Sequence, residues 1–254
     1  MYPPRLPMQF PTGMAMVEII PETARLSLNQ GRPDQFVRLL IALGATPERA
    51  QDITLAIVDW RSGSRQLDQY YLSLNPSFLP RHASFQDVEE ALYLRGMTPE
   101  LFHGSYTRDP QGRLIRQSGF KDCVSPWGTI GPFDVNHAEP PLLAAMGIPP
   151  DTVQQIVELR RQQPMVNLNA LTGARIATTN LRVGGHTIYT FRSTARVYMP
   201  NVGPGGPLSE VARTVSAQVK FRKPDLGPPP YQIIRWWDQA ESPLATPAEV
   251  SLWR

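Results

Sequence analysis

The chain has 254 residues, 41% of them hydrophobic, with 27 prolines and a formal net charge of +3. That length and apolar content exclude a disordered chain and allow one large domain or two small ones, each with its own core. Proline at about twice ordinary usage argues against a helical bundle or coiled coil. The small net charge argues against an electrostatic nucleic-acid binder, although the pI is about 9.2.

The single cysteine, Cys123, excludes an intramolecular disulfide and a cysteine-rich metal or iron–sulfur site. No run approaches the ~18 apolar residues of a membrane-spanning helix. The opening Met1-Tyr2-Pro3-Pro4-Arg5 lacks the apolar core of a signal peptide.

Residues 1–16 are proline-rich and read as loose. In residues 22–29, Ala24, Leu26 and Leu28 alternate with polar neighbours, which predicts a half-buried strand ended by Gly31 and Pro33. From about 33 to 170 the period is helical. Phe36, Leu39, Leu40 and Leu43 form one stripe, Ala50, Ile53, Ile57 and Trp60 a second, and Val153, Ile156 and Val157 a third. From about 180 the period returns to two. Tyr189, Phe191, Ala195, Val197 and Met199 share one face of a strand, Val215, Ala217, Val219 and Phe221 one face of the next, and Tyr231, Ile233 and Trp237 suggest a last. Gly203–Pro207 is a loop by composition, and the tail from about 241 reads as irregular. The fold class is α+β, with a sheet built from both ends of the chain and a helical insertion between them. The expected divisions are 1–30 for the N-terminal segment and first strand, 31–175 for the inserted helical domain, and 176–254 for the C-terminal strands and tail.

A short pattern recurs within the helical block. Gly44-Ala45-Thr46-Pro47-Glu48, Gly96-Met97-Thr98-Pro99-Glu100 and Gly147-Ile148-Pro149-Pro150-Asp151 each follow an apolar, helix-like run. Glycine suits a left-handed helix stop, threonine a helix cap, and proline the first turn of the next helix. The pattern predicts related helical hairpins, like the helix-hairpin-helix units that hold a nucleic-acid phosphate on backbone N–H groups. Proline removes such a donor, and Glu48, Glu100 and Asp151 would repel a phosphate. Arg160-Arg161 is the best counter-argument. A structural role for the hairpins is therefore expected, with nucleic-acid binding as the alternative.

Other chemistry finds little support. Ser62 and Ser64 flank Gly63 without a nucleophile elbow. Cys123 lies in a loop-like stretch without a catalytic signature. His82, His103, His137 and His186 are scattered, with no zinc-ligand spacing. Glu89-Glu90 reads as a solvated helix face. Of Trp236-Trp237 on a strand, one ring is expected inward and one outward. No active site and no cofactor are expected.

The ordered series of segments from about 17 to 240 resembles the K-type minor pseudopilins of the bacterial type II (general) secretion pathway. The resemblance is carried by Glu22–Asn29 with its Leu-Asn end, by Asp59-Trp60 at a helix end, and by Tyr70–Leu74 and Phe85–Glu90 before Gly96-Met97-Thr98. It continues through Asp134-Val135-Asn136-His137-Ala138, through Arg160 and Pro164 of the Ile156–Pro164 run, and through Ile233-Ile234-Arg235-Trp236. It implies a pilin-like antiparallel sheet with a large helical insertion. It implies a non-enzymatic protein that caps the pseudopilus tip with I- and J-type minor pseudopilins, helps start assembly, and sits on the periplasmic side of the inner membrane. The family's basic leader and apolar anchor helix do not occur in this sequence, so membrane attachment is expected only through an N-terminal helix absent from these residues. The family also implies calcium on an acidic loop after Asp-Trp. Here the loop is Arg61-Ser62-Gly63-Ser64-Arg65-Gln66-Leu67-Asp68, with one carboxylate and two arginines. Calcium takes six to eight oxygens, so no metal is expected, and Asp59 and Asp68 are read as remnants of that site.

Overall fold

Pro7 and Pro11 do not leave residues 5–16 loose, and residues 1–4 lie outside the described residues. In the computed structural model, which describes residues 5–109, 111–112, 114–173, 178–199, 206–222 and 229–240, strands β1 (Arg5–Phe10) and β2 (Gly13–Pro21) form an antiparallel hairpin. Pro7 lies on β1, at the sheet edge, where a missing backbone N–H is tolerated. Pro7, read in sequence as part of an irregular start, sits on an edge strand instead.

The chain divides into two compact units. One contains the residues up to Glu22 and those from His186 onward; the other is Thr23–Gly185.

Thr23–Gly185 holds β3 (Leu26–Ser27), α1 (Pro33–Ala42), α2 (Pro47–Arg61), α3 (Asp68–Leu72), α4 (Pro99–His103), β4 (Ser105–Arg108) and β5 (Leu114–Gln117). It continues with α5 (Phe120–Cys123), β6 (Val124–Ser125), β7 (Phe133–Asp134), α6 (Pro140–Ala145), α7 (Pro150–Gln162), α8 (Asn169–Gly173) and β8 (Leu181–Arg182). The sheet unit completes with β9 (Ile188–Tyr198), β10 (Leu208–Phe221) and β11 (Tyr231–Trp237).

The sheet runs β1-β2-β9-β10-β11, antiparallel throughout. The α+β reading with a sheet made from both chain ends therefore holds. β2 pairs with β9 from Gly13↔Val197 to Pro21↔Tyr189. Register puts Glu18 opposite Arg5 on one side and Arg192 on the other. The Glu18 carboxylate, almost fully buried, receives Arg5 at 2.9 Å and Arg192 at 2.8 Å. Three strands are thus pinned by one arginine–glutamate–arginine row. On the next pair, the Thr194 and Thr214 hydroxyls meet at 3.0 Å. At the far edge Trp236 is exposed and Trp237 half-buried, with the Arg235 guanidinium over the Trp237 ring.

The expected strand at residues 22–29 is corrected. Glu22–Ala24 is a 3₁₀ turn and only Leu26–Ser27 is extended, pairing in parallel with β6. The alternation nevertheless marks burial: Ala24, Leu26 and Leu28 all lie in the interior.

In the helical unit, Phe36, Leu39 and Leu40 of α1 meet Ile53, Ile57 and Trp60 of α2 and Leu142 and Leu143 of α6 in one core. The three repeated turns share their local chemistry. Gly44, Gly96 and Gly147 all take positive φ (92°, 86°, 86°), where a Cβ would be strained. Thr46 and Thr98 accept from Arg49 N and Leu101 N, and proline opens each following helix. The repeat of helical hairpins is not borne out. The segment before Gly96, Val88–Tyr93, is a 3₁₀ helix, and α4 after it has five residues. The Glu90 carboxylate accepts from Gln86 N (2.8 Å), Asp87 N (3.1 Å) and the Trp60 indole (3.0 Å), which ties the start of this short segment to α2. Glu90 is thus a structural acceptor and not part of a solvated face.

Removing one partner of a buried ion pair leaves uncompensated charge, at a cost of about 3–5 kcal/mol. Glu18→Ala is therefore expected to lower unfolding stability by about 3 kcal/mol. A urea titration followed by circular dichroism checks this, and an unchanged midpoint would show that the row does not hold the sheet.

Candidate metal centre

The last turn of α2 carries Asp59, which is 3% exposed. A carboxylate buried to this degree needs donors. Its Oδ1 accepts from Gln66 N at 2.8 Å and from the Ser64 hydroxyl. These bonds fold the loop after α2 back onto the helix and deliver Asp68 at the start of α3. Beneath lies an aromatic cluster in which Trp60 stacks on Phe85 and Tyr93 and meets Tyr71 and Phe78 edge-on.

The third member of the group is His82. Its Nε2 lies 2.7 Å from Asp68 Oδ1, and its Nδ1 lies 3.1 Å from the Ser62 carbonyl and 3.4 Å from that of Asp59. Burial disfavours charge on the ring, but the Asp68 carboxylate and the two carbonyls outweigh it and raise the imidazole pKa above its ordinary value. One potential ligand atom from each of Asp59, Asp68 and His82 lies within 4.8 Å of the others. Asp59 Oδ2 and Ser62 Oγ are buried without a hydrogen-bond partner.

This donor set does not fit calcium. Two carboxylates contribute, one of them already using Oδ1 for two internal bonds, and an imidazole nitrogen stands where a hard cation needs oxygen. The structure does bring the two predicted remnants, Asp59 and Asp68, together. Sequence reading missed His82, which is 14 residues beyond Asp68 in a proline-flanked loop; no spacing rule links the two.

The other singled-out residues have structural places. Cys123 is fully buried, and burial, with Glu139 and Asp122 adding to it, raises its thiol pKa well above the ordinary value. Arg160 is not a phosphate reader: it is buried and donates to the carbonyls of Val135 (3.2 Å) and Ala138 (2.7 Å). Asn136 exchanges two hydrogen bonds, each 2.8 Å, with the Met165 backbone. Asn29 does the same with Phe85, at 3.0 and 2.7 Å, and also reaches Pro126 O. The motif residues Asn29, Trp60, Asn136 and Arg160 are thus fasteners between segments distant in sequence. The Gly203–Pro207 loop and the tail from 241 lie wholly or mostly outside the described residues.

Comparison with known proteins follows this pattern. The family model for the first domain of type II secretion system protein K matches residues 21–104. That span contains Asn29, Asp59-Trp60, Asp68 and His82. The type II secretion system protein K of Klebsiella pneumoniae is 37% identical over 73 residues, which is 26% of this chain and 22% of that protein. Among solved structures, a chain of the GspK-GspI-GspJ complex from enterotoxigenic Escherichia coli superposes with a TM-score of 0.62. The match covers 94% of this chain and 84% of that one at 16% identity, a likeness of fold. The chain is similar to protein K in sequence over residues 21–104 and in fold over most of its length. The sequence match to the curated relative spans about a fifth of that protein's length, whereas the likeness of fold covers 94% of this chain.

Burial of Cys123 has a direct consequence. A thiol-specific reagent at neutral pH is expected to leave the native protein unmodified and to label it once in denaturant. Fast labelling of the native chain would contradict the packing around α5.

Proposed function

We propose that this chain acts as a minor pseudopilin that caps the pseudopilus tip of a type II secretion system and helps start its assembly. The observation that carries the reading is the likeness to a chain of a GspK-GspI-GspJ complex over 94% of the present chain, together with the protein K sequence match at 21–104. Its partners on this reading are I- and J-type minor pseudopilins. Its role is structural: the polar residues that the family resemblance singles out hold segments together, and the buried Cys123 thiol is kept from chemistry.

The working location is the periplasmic side of a bacterial inner membrane. Among the described residues no helix is long and apolar enough to cross a membrane.

The nucleic-acid alternative has no support of its own. Arg160 is spent on backbone carbonyls, and proline occupies the first turn after each glycine turn.

Deletion of the gene from the bacterium that carries it tests the role. Exported proteins are expected to accumulate in the periplasm and to return to the medium on complementation. Undiminished secretion by the deletion strain would overturn the reading.

A further inference from the structure

We propose that Asp59, Asp68 and His82 form a binding site for a borderline divalent cation of the zinc class, in place of calcium. The argument begins with the imidazole. Each of its nitrogens faces acceptors: Nδ1 the carbonyls of Ser62 and Asp59, Nε2 the Asp68 carboxylate. With Nδ1–H donating to a carbonyl, the Nε2 lone pair points at a carboxylate lone pair, and a cation must stand between them. A proton can do so, and so can a metal ion. A histidine whose far nitrogen is held by a backbone carbonyl has the orientation typical of metal-ligating histidines.

Asp59 supplies the independent observation. It is 3% exposed, and its Oδ2 has no donor, an expensive state for a buried carboxylate oxygen. Ser62 Oγ, also buried and unpartnered, is a further oxygen on the same loop. Charge points the same way. Among the described residues no arginine or lysine forms an ion pair with Asp59 or Asp68. Arg61, two residues from Asp59, turns to the carbonyls of Leu28 and Gly31, each at 2.7 Å. The two carboxyl groups of the set match the charge of one divalent ion.

The donor set selects the ion. Zinc accepts mixed nitrogen and oxygen ligands, commonly four, at about 2.0–2.2 Å. Three side chains here leave one position for Ser62 or water. Imidazole favours such ions over calcium and magnesium. Entry of the ion opens the 2.7 Å contact between His82 and Asp68 and displaces the proton from Nε2.

The test uses the 254-residue chain, freed of metal by chelation and titrated calorimetrically with zinc chloride and, separately, calcium chloride. Zinc is expected to bind one site with a Kd of about 10 µM or tighter and to raise the melting temperature, while millimolar calcium does neither. Cobalt(II) in the same site should give visible bands of low-symmetry coordination. His82→Asn is chosen because asparagine tolerates the left-handed backbone found here (φ 49°). It is expected to weaken zinc binding by about 100-fold, and Asp68→Asn to weaken it similarly, both with the metal-free melting curve retained. Absence of zinc binding at 100-µM-scale protein, zinc binding unchanged in both variants, or calcium binding in preference to zinc would each overturn the proposal.

Discussion

The pairing of β2 with β9 is the constraint on which the other elements depend. It joins residues 13–21 to 189–197 and so obliges everything between to be an insertion with its own core. Closing so long a loop costs chain entropy that local structure does not repay. The Glu18 row meets that cost with buried, charge-assisted bonds at the point where three strands run side by side. Pro21 stands opposite Tyr189, so the end of β2 and the start of β9 are neighbours in the sheet.

Within the insertion, short polar fasteners take over the task that long secondary structure performs elsewhere. Proline and glycine keep most helices brief, and β3, β6, β7 and β8 are two residues each. Connections such as Asn29 to Phe85 and Pro126, Asn136 to Met165, and Arg160 to Val135 and Ala138 tie loops that no sheet or helix would register. These asparagines and this arginine are among the residues that carry the resemblance to protein K. A motif series of this kind makes physical sense when its members satisfy buried carbonyls.

The sequence made the long amphipathic elements legible. The stripes through Phe36 and Ile53 gave α1 and α2, and the alternation through Val215 gave β10, because each buries one face and its period shows it. The N-terminal hairpin was not legible, since Pro7 conceals an edge strand that needs only one partner. Residues 22–29 misled in conformation though not in burial: three buried positions at period two can sit on a turn and a two-residue strand. Glu90 was read as solvated because nothing local reveals the indole of Trp60. The candidate site was half legible. Asp59 and Asp68 follow one another along the chain, whereas His82 joins them only through the fold.

If the likeness to protein K reflects shared work, the chain must join I- and J-type partners. The most direct measurement is light scattering on a size-exclusion column, with this chain mixed with the soluble domains of the I- and J-type pseudopilins of the same bacterium. A single peak with the mass of a 1:1:1 complex is the predicted result. Separate elution of this chain at its own 28.4 kDa, beside an intact complex of the other two at micromolar concentrations, would contradict the account.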